Sequence, residues 1–204
     1  TVTTADTTVT GLSVNQTYYF HIWAVDDFGN EFETTGISED TNDLPSATAP
    51  SSITQATDGS GYITFETTLS DDSDTRLKVE YSDNGGSTWY DPDLVSAVPS
   101  SGTADLDDGE VYQIGSVDAV DTSGGSVTLT VVWDTQSALN ENGSLDGTDQ
   151  SDVRIRVTPN DTVEDGAAAA WSNFEVGNLD PSGLAGISAA VPASTSMGLT
   201  WTSA

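Results

Sequence analysis

The stretch Arg76-Leu77-Lys78-Val79-Glu80-Tyr81 alternates strictly between charged and apolar side chains. A period of two places Leu77, Val79 and Tyr81 on one side of an extended chain, and it does not fit a helix, whose apolar face recurs every three to four residues. The same period returns elsewhere. Ile63, Phe65 and Leu69 point inward in the run from Tyr62, and Val127 to Trp133 and Val153 to Val157 carry strong strand patterns. Asp83-Asn84-Gly85-Gly86 is a hairpin signal leading into Thr88-Trp89-Tyr90. A weaker strand is expected at Val111–Ile114, and the last strand of this set runs roughly from Ala168 to Val176, with Trp171, Phe174 and Val176. Seven or so strands, spread over about 125 residues, suit two packed sheets.

Composition supports that class. The acids comprise 24 Asp and 9 Glu, and Asp prefers turns and loops whereas Glu supports helices. With 33 acids against 4 Lys plus Arg, the formal charge is −29. Four cations cannot neutralise a nucleic-acid backbone or dock a chain on an anionic lipid surface. No apolar run reaches 18 residues, so no helical membrane span is expected. Cysteine is absent, which removes disulfides, thiolate chemistry and Cys-ligated zinc. Thr1-Val2-Thr3-Thr4 has neither a basic start nor an apolar core, so no signal peptide is expected. A chain this charged needs a sizeable core to escape disorder. Five Trp, six Tyr and five Phe, set in alternating segments, supply one.

Both ends carry further strand patterns. Thr17 to Asp26 reads as one strand, with Tyr18, Phe20, Ile22 and Ala24 on one face and Tyr19, His21, Trp23 and Val25 on the other. Two fairly apolar faces predict a central position in a sheet. Asp26 to Asn30 is a turn, and Glu31 to Thr35 returns. Residues 41–52 hold Pro45 and Pro50 and are expected to be a linker. Near the other end, Leu184, Ile187 and Val191 suit an edge strand, and Leu199 and Trp201 lie in another.

The run from Leu12 through Tyr18-x-Phe20-x-Ile22-x-Ala24 resembles the penultimate strand of the fibronectin type III family. The resemblance implies that Tyr18 forms a tyrosine corner, its hydroxyl bonding upstream backbone. Pro181-x-x-Leu184 and Leu199-Thr200-Trp201 look like the first two strands of that family, which would make Trp201 the core tryptophan. The middle of the chain is similar to immunoglobulin-like repeats of large bacterial or archaeal surface proteins, through Val79-Glu80-Tyr81-Ser82 and Val153 to Asp161. Ser82 to Trp89 also resembles the Asp-box hairpin of sialidases, with Asn84 standing where that box has Asp. The expected organisation is therefore all-β. Residues 1–40 resemble the C-terminal half of one sandwich, residues 53–178 form a complete immunoglobulin-like sandwich, and residues 179–204 resemble the first strands of another.

Chemistry is sparse. A Ser-His-Asp arrangement would have to use His21, the only histidine, which sits mid-strand between Phe20 and Ile22. No acid pair sits in a recognisable glycosidase frame. Calcium is the best chemical candidate because it takes six to eight oxygens from Asp, Asn and carbonyls. Its expected ligands are Asp71, Asp72 and Asp74 in one loop, and Asn142, Asp146, Asp149 and Asp152 in another. Solvated acidic turns are the competing reading. Arg76 with Lys78, and Arg154 with Arg156, share strand faces and could form one basic stripe. That stripe would either pair with Glu80 and other acids across strands or dock an acidic neighbour. Asn15, Asn142 and Asn160 begin N-glycan acceptor triplets.

These features point to a non-enzymatic extracellular protein, a repeat or subunit of a cell-surface stalk or filament. Assembly would pair Leu184, Ile187, Leu199 and Trp201 of one copy with Phe20 and Ile22 of the next, giving a self-associated polymer. The competing reading is an adhesin or carbohydrate-binding module that uses Tyr19, Trp23, Trp89 and Tyr90 on glycans.

Overall fold

The structure is a computed structural model that describes residues 7–13, 16–33, 35–169, 172–178, 185–189 and 199–202. The described elements are all strands. Near the start lie β1 (Thr17–Phe20), β2 (Trp23–Val25), β3 (Glu31–Glu33) and β4 (Ile37–Asp40). The middle holds β5 (Ser46–Ala47), β6 (Ser51–Gln55), β7 (Tyr62–Ser70), β8 (Asp74–Ser82), β9 (Leu94–Pro99), β10 (Val120–Asp121), β11 (Val127–Asp134), β12 (Asp149–Asn160) and β13 (Ser172–Gly177). A further hairpin joins β14 (Ala185–Ala189) to β15 (Leu199–Thr202).

Two sheets of the middle region enclose the core. One runs β10-β8-β12-β13, and the other runs β5-β7-β11-β9 with β6 also on β7. The alternation read from the sequence sets what each strand buries. Leu77, Val79 and Tyr81 of β8 and Val153, Ile155 and Val157 of β12 meet Ile63, Phe65 and Leu69 of β7 and Leu129, Val131 and Trp133 of β11. Burying one such side chain contributes about 1.5–3 kcal/mol. Tyr81 packs at 4.6 Å on Trp133, centroid to centroid. Fourteen residues separate the end of β11 from the start of β12, and Asn140 organises this crossing. Its Oδ1 accepts from Trp133 Nε1 at 2.7 Å and from the Asp93 amide at 2.8 Å, while its Nδ2 donates to the carbonyls of Asp134 and Ser137.

Several elements depart from the sequence expectations. The strand expected over residues 17–26 is two strands in two separate ribbons. Phe20 pairs with Ile37, whereas Trp23 pairs with Glu33. The break falls at His21 and Ile22, where His21 Nδ1 meets Glu33 Oε1 at 2.9 Å and the imidazole stacks on Trp23. Each ribbon has only two strands, so neither strand is central. Residues 41–52 contribute edge strand as well as connection: β5 pairs with the end of β7, and β6 pairs further back along the same edge. Pro50 lies between the two pieces and cannot donate to a ladder. Val111 to Ile114 forms no strand, only single bridges from Ile114 to Leu77 and Leu106. β9 escaped the sequence reading because its Val95 and Val98 face outward, which breaks the alternation.

Candidate functional site

Every Lys and Arg of the chain lies on the outer face of the β10-β8-β12-β13 sheet. The alternation that sends Leu77 and Val79 inward sends Arg76, Lys78 and Glu80 outward, and the same holds for Arg154 and Arg156 on β12. Antiparallel pairing then sets Arg76 opposite Asn160, Lys78 opposite Thr158, and Glu80 opposite Arg156. Glu80 is the hub. Its Oε2 accepts from Arg156 Nε at 2.7 Å, and its Oε1 accepts from Arg156 Nη2 at 3.1 Å and lies 3.0 Å from Lys78 Nζ. Burial acts to raise the Glu80 pKa, but the hydrogen bonds and charges of Arg156 and Lys78 outweigh it and hold the carboxyl below the usual range. Arg154 pairs with Asp152 at 3.1 Å. Arg76 gives both its Nε (3.2 Å) and Nη2 (2.6 Å) to the neutral amide oxygen of Asn160.

Two aromatic rings complete this face. Trp89 lies on Arg156, with Cζ 4.2 Å from the ring centroid, and Tyr112 lies on Arg76 at 4.8 Å. The turn after β8 delivers Trp89. Ser82 Oγ accepts from the Gly86 amide and Asn84 Oδ1 accepts from the Thr88 amide, each near 2.9 Å. Gly85 has φ +70, and a Cβ there would sit 2.6 Å from Asp152 Oδ2, so the turn requires glycine. The Tyr112 hydroxyl donates to Asp165 Oδ1. Its pKa is pushed up to about 12 by burial first and by Asp165 second. The stripe itself was legible in the sequence, but its two aromatic covers were not, because Trp89 and Tyr112 are each distant in sequence from the arginine they cover.

The expected calcium ligands lie in two loops, at opposite ends of β8. Asp71, Asp72 and Asp74 lie at the β7–β8 turn, while Asp152 and Asn142 lie near the other end of β8, about 27 Å away by strand rise. Asp71 Oδ2 accepts from Ser73 Oγ at 2.6 Å, and its Oδ1 is buried without a partner. Asn142 Nδ2 donates to Asp83 at 2.9 Å. The Asp146 amide donates to Ser144 Oγ, and Asp149 opens β12. Among the described residues, no three His, Asp or Glu side chains form a group able to hold a metal ion.

A carboxyl pair missed by the sequence reading sits at the start of β9. Asp108 Oδ2 accepts from the Leu94 amide at 3.0 Å. Burial, followed by a hydrogen bond and charge from Asp93, pushes the Asp108 pKa up to about 6.

The remaining predicted residues lie outside the middle region. Tyr18 Oη accepts from the Ser13 amide at 2.9 Å. Phe20 is half-buried, and Ile22 is exposed. Ile187 lies on β14, Leu199 and Trp201 lie on β15, and Leu184 falls outside the described residues. Tyr19 and Trp23 are exposed, whereas Trp89 and Tyr90 are half-buried, and Tyr90 bridges Tyr81. Of the glycan triplets, Asn142 is exposed. Asn160 is buried and bound to Arg76 and Asp165, and Asn15 falls outside the described residues. Comparison of the chain with protein-family models, with curated proteins and with solved structures finds no match.

Proposed function

We propose that the chain is a structural component of an extracellular assembly, a repeat or subunit of a cell-surface stalk or filament. In this reading strands of one copy cover the head of the next. The observation that carries it is the uncovered β2–β3 ribbon. Trp23 is 58% exposed, Val25 61% and Phe32 70%, and Phe28 at the turn between them is 92% exposed. Trp23 and Val25 sit on one side of the ribbon and Phe32 on the other. An apolar ribbon that has only two strands among the described residues favours added strands. The β14–β15 hairpin of a second copy is the proposed occupant, since β15 brings Leu199 and Trp201 in the alternation that strand addition uses. The charge of −29 supports the same reading, because it keeps sideways contacts between copies repulsive while end contacts form through apolar surface.

Sedimentation velocity of the full chain tests this proposal. Concentration-dependent association is expected in the micromolar range, and Phe32→Ser and Trp23→Ser should each abolish it. A stable monomer across that range overturns the reading.

A further inference from the structure

We propose that the free edge of β13 pairs with β13 of a second copy, an antiparallel contact that joins two four-stranded sheets into one and forms when salt screens the charge of the chain. The inference goes beyond the assembly role above, uses a different edge and stands without it.

Strand β13 ends its sheet and has β12 as its neighbour. In an antiparallel ladder successive residues turn their N–H and C=O alternately to one side and the other. The Asn178 amide donates to the Thr148 carbonyl at 2.9 Å, and the Asn178 carbonyl accepts from the Gly147 amide at 3.0 Å, so Asn178 turns toward the segment entering β12. The irregularity between Gln150 and Val153 lengthens β12 and leaves the alternation along β13 unbroken. Gly177, Glu175 and Asn173 therefore turn away from β12. The Gln55 side chain closes the first of these rungs: its Oε1 accepts from the Gly177 amide at 3.0 Å and its Nε2 donates to the Gly177 carbonyl at 3.1 Å. Asn173 and Glu175 are exposed, and among the described residues their backbone groups have no partner. Two open rungs follow one closed rung. Other edges are defended. On β9 the Leu94 amide is taken by Asp108 and Pro99 has no N–H, and β6 bends at an irregularity where Ser52 has φ 53.

The residues at the open rungs select the occupant and the register. With Phe174 on a two-fold axis, Asn173 of each copy lies opposite Glu175 of the other. Four backbone hydrogen bonds form, and each Asn173 amide donates to a Glu175 carboxylate on the outer face, the face that Arg154 marks opposite Asn173. Phe174, half-buried against the core, meets its own copy on the axis. An axis at Glu175 would oppose two carboxylates, which is unfavourable, and would need the Gly177 rung that Gln55 has closed. Two copies at −29 repel one another sideways. That repulsion has a reach of about 8 Å at 0.15 M salt and about 3 Å at 1 M, whereas the ladder bonds act at contact.

The test is sedimentation velocity of the full chain carrying Trp23→Ser, which removes the contact of the assembly reading and so keeps the two outcomes apart. A monomer–dimer equilibrium is expected in about 1 M NaCl, and a monomer at about 0.01 M. Asn173→Asp opposes two carboxylates in each half of the ladder and should weaken the dimer about tenfold. Val117→Asp, the same change of charge at a residue 89% exposed on a loop, should leave it unaltered. Unchanged urea midpoints show that the variants fold. The chain has no cysteine, so register can be read directly. Copies with Asn173→Cys mixed with copies with Glu175→Cys should cross-link about tenfold faster on oxidation than either alone, because facing Cα atoms about 5.5 Å apart suit a disulfide. The proposal is overturned if the chain stays monomeric at high salt, if Asn173→Asp dimerises as its parent does, or if the mixture cross-links no faster than the single variants.

Discussion

Arg156 and Glu80 form a two-point contact across β12 and β8, with Nε–Oε2 at 2.7 Å and Nη2–Oε1 at 3.1 Å. The carboxylate also holds Lys78, so one acid orders two of the four cations of the chain. Glu80→Ala removes the acceptor from both and should cost about 2–3 kcal/mol in urea unfolding. The Glu80 pKa is lowered in the fold, so its contribution is present above the unfolded value of about 4.3 and is lost as pH falls through the lower folded value. Stability of the wild type should therefore fall more steeply below about pH 4 than that of the variant.

The Asp93–Asp108 pair has the opposite dependence. Its folded pKa of about 6 lies above that of an unfolded aspartate, so the fold holds the extra proton and is favoured below about pH 4. That advantage is lost as pH rises to 6 and beyond. Water reaches this exposed loop and screens the repulsion, which keeps the effect modest. Asp108→Asn retains an acceptor for the Leu94 amide and removes one charge. It should raise the Tm at pH 7.5 by about 2–4 °C, near 1 kcal/mol, and leave it unchanged at pH 4. A calorimetric melt at the two pH values checks this.

Asn140 satisfies four groups around Trp133 with one side chain. Asn140→Ala leaves the indole N–H buried without an acceptor, and should cost about 2–4 kcal/mol. Tryptophan fluorescence followed through urea unfolding reads the loss directly.

Gly166 sits so close to β5 that a Cβ would lie 1.8 Å from the Pro45 carbonyl oxygen. Gly166→Ala should separate the segment entering β5 from the loop after β12 and cost about 3 kcal/mol. Hydrogen exchange should show faster exchange at the Gly166 amide, which donates to the Pro159 carbonyl at 2.9 Å.

Much of the core could be read from the sequence because β7, β8, β11 and β12 each alternate over many residues. Ile63, Val79, Val131 and Ile155 announce their own burial, since a period of two leaves little choice of face. The β9 strand and the break at His21 were hidden for the same reason in reverse. Val95 and Val98 point outward, and both faces of residues 17–26 are apolar, so pattern alone could not show that the pairing partner changes after Phe20.

The candidate site divides along the same line. The sequence by itself determined that Arg76 and Lys78 share one strand face, as do Arg154 and Arg156, because face is a local property of an extended chain. Only the tertiary structure decided that β8 pairs with β12, that Glu80 lies opposite Arg156, and that Trp89 covers Arg156 and Tyr112 covers Arg76. Those facts depend on register between strands some seventy residues apart and on loops that turn back over the sheet. The sandwich core imposes both, because a slip of one residue would turn Ile155 and Val157 out into water.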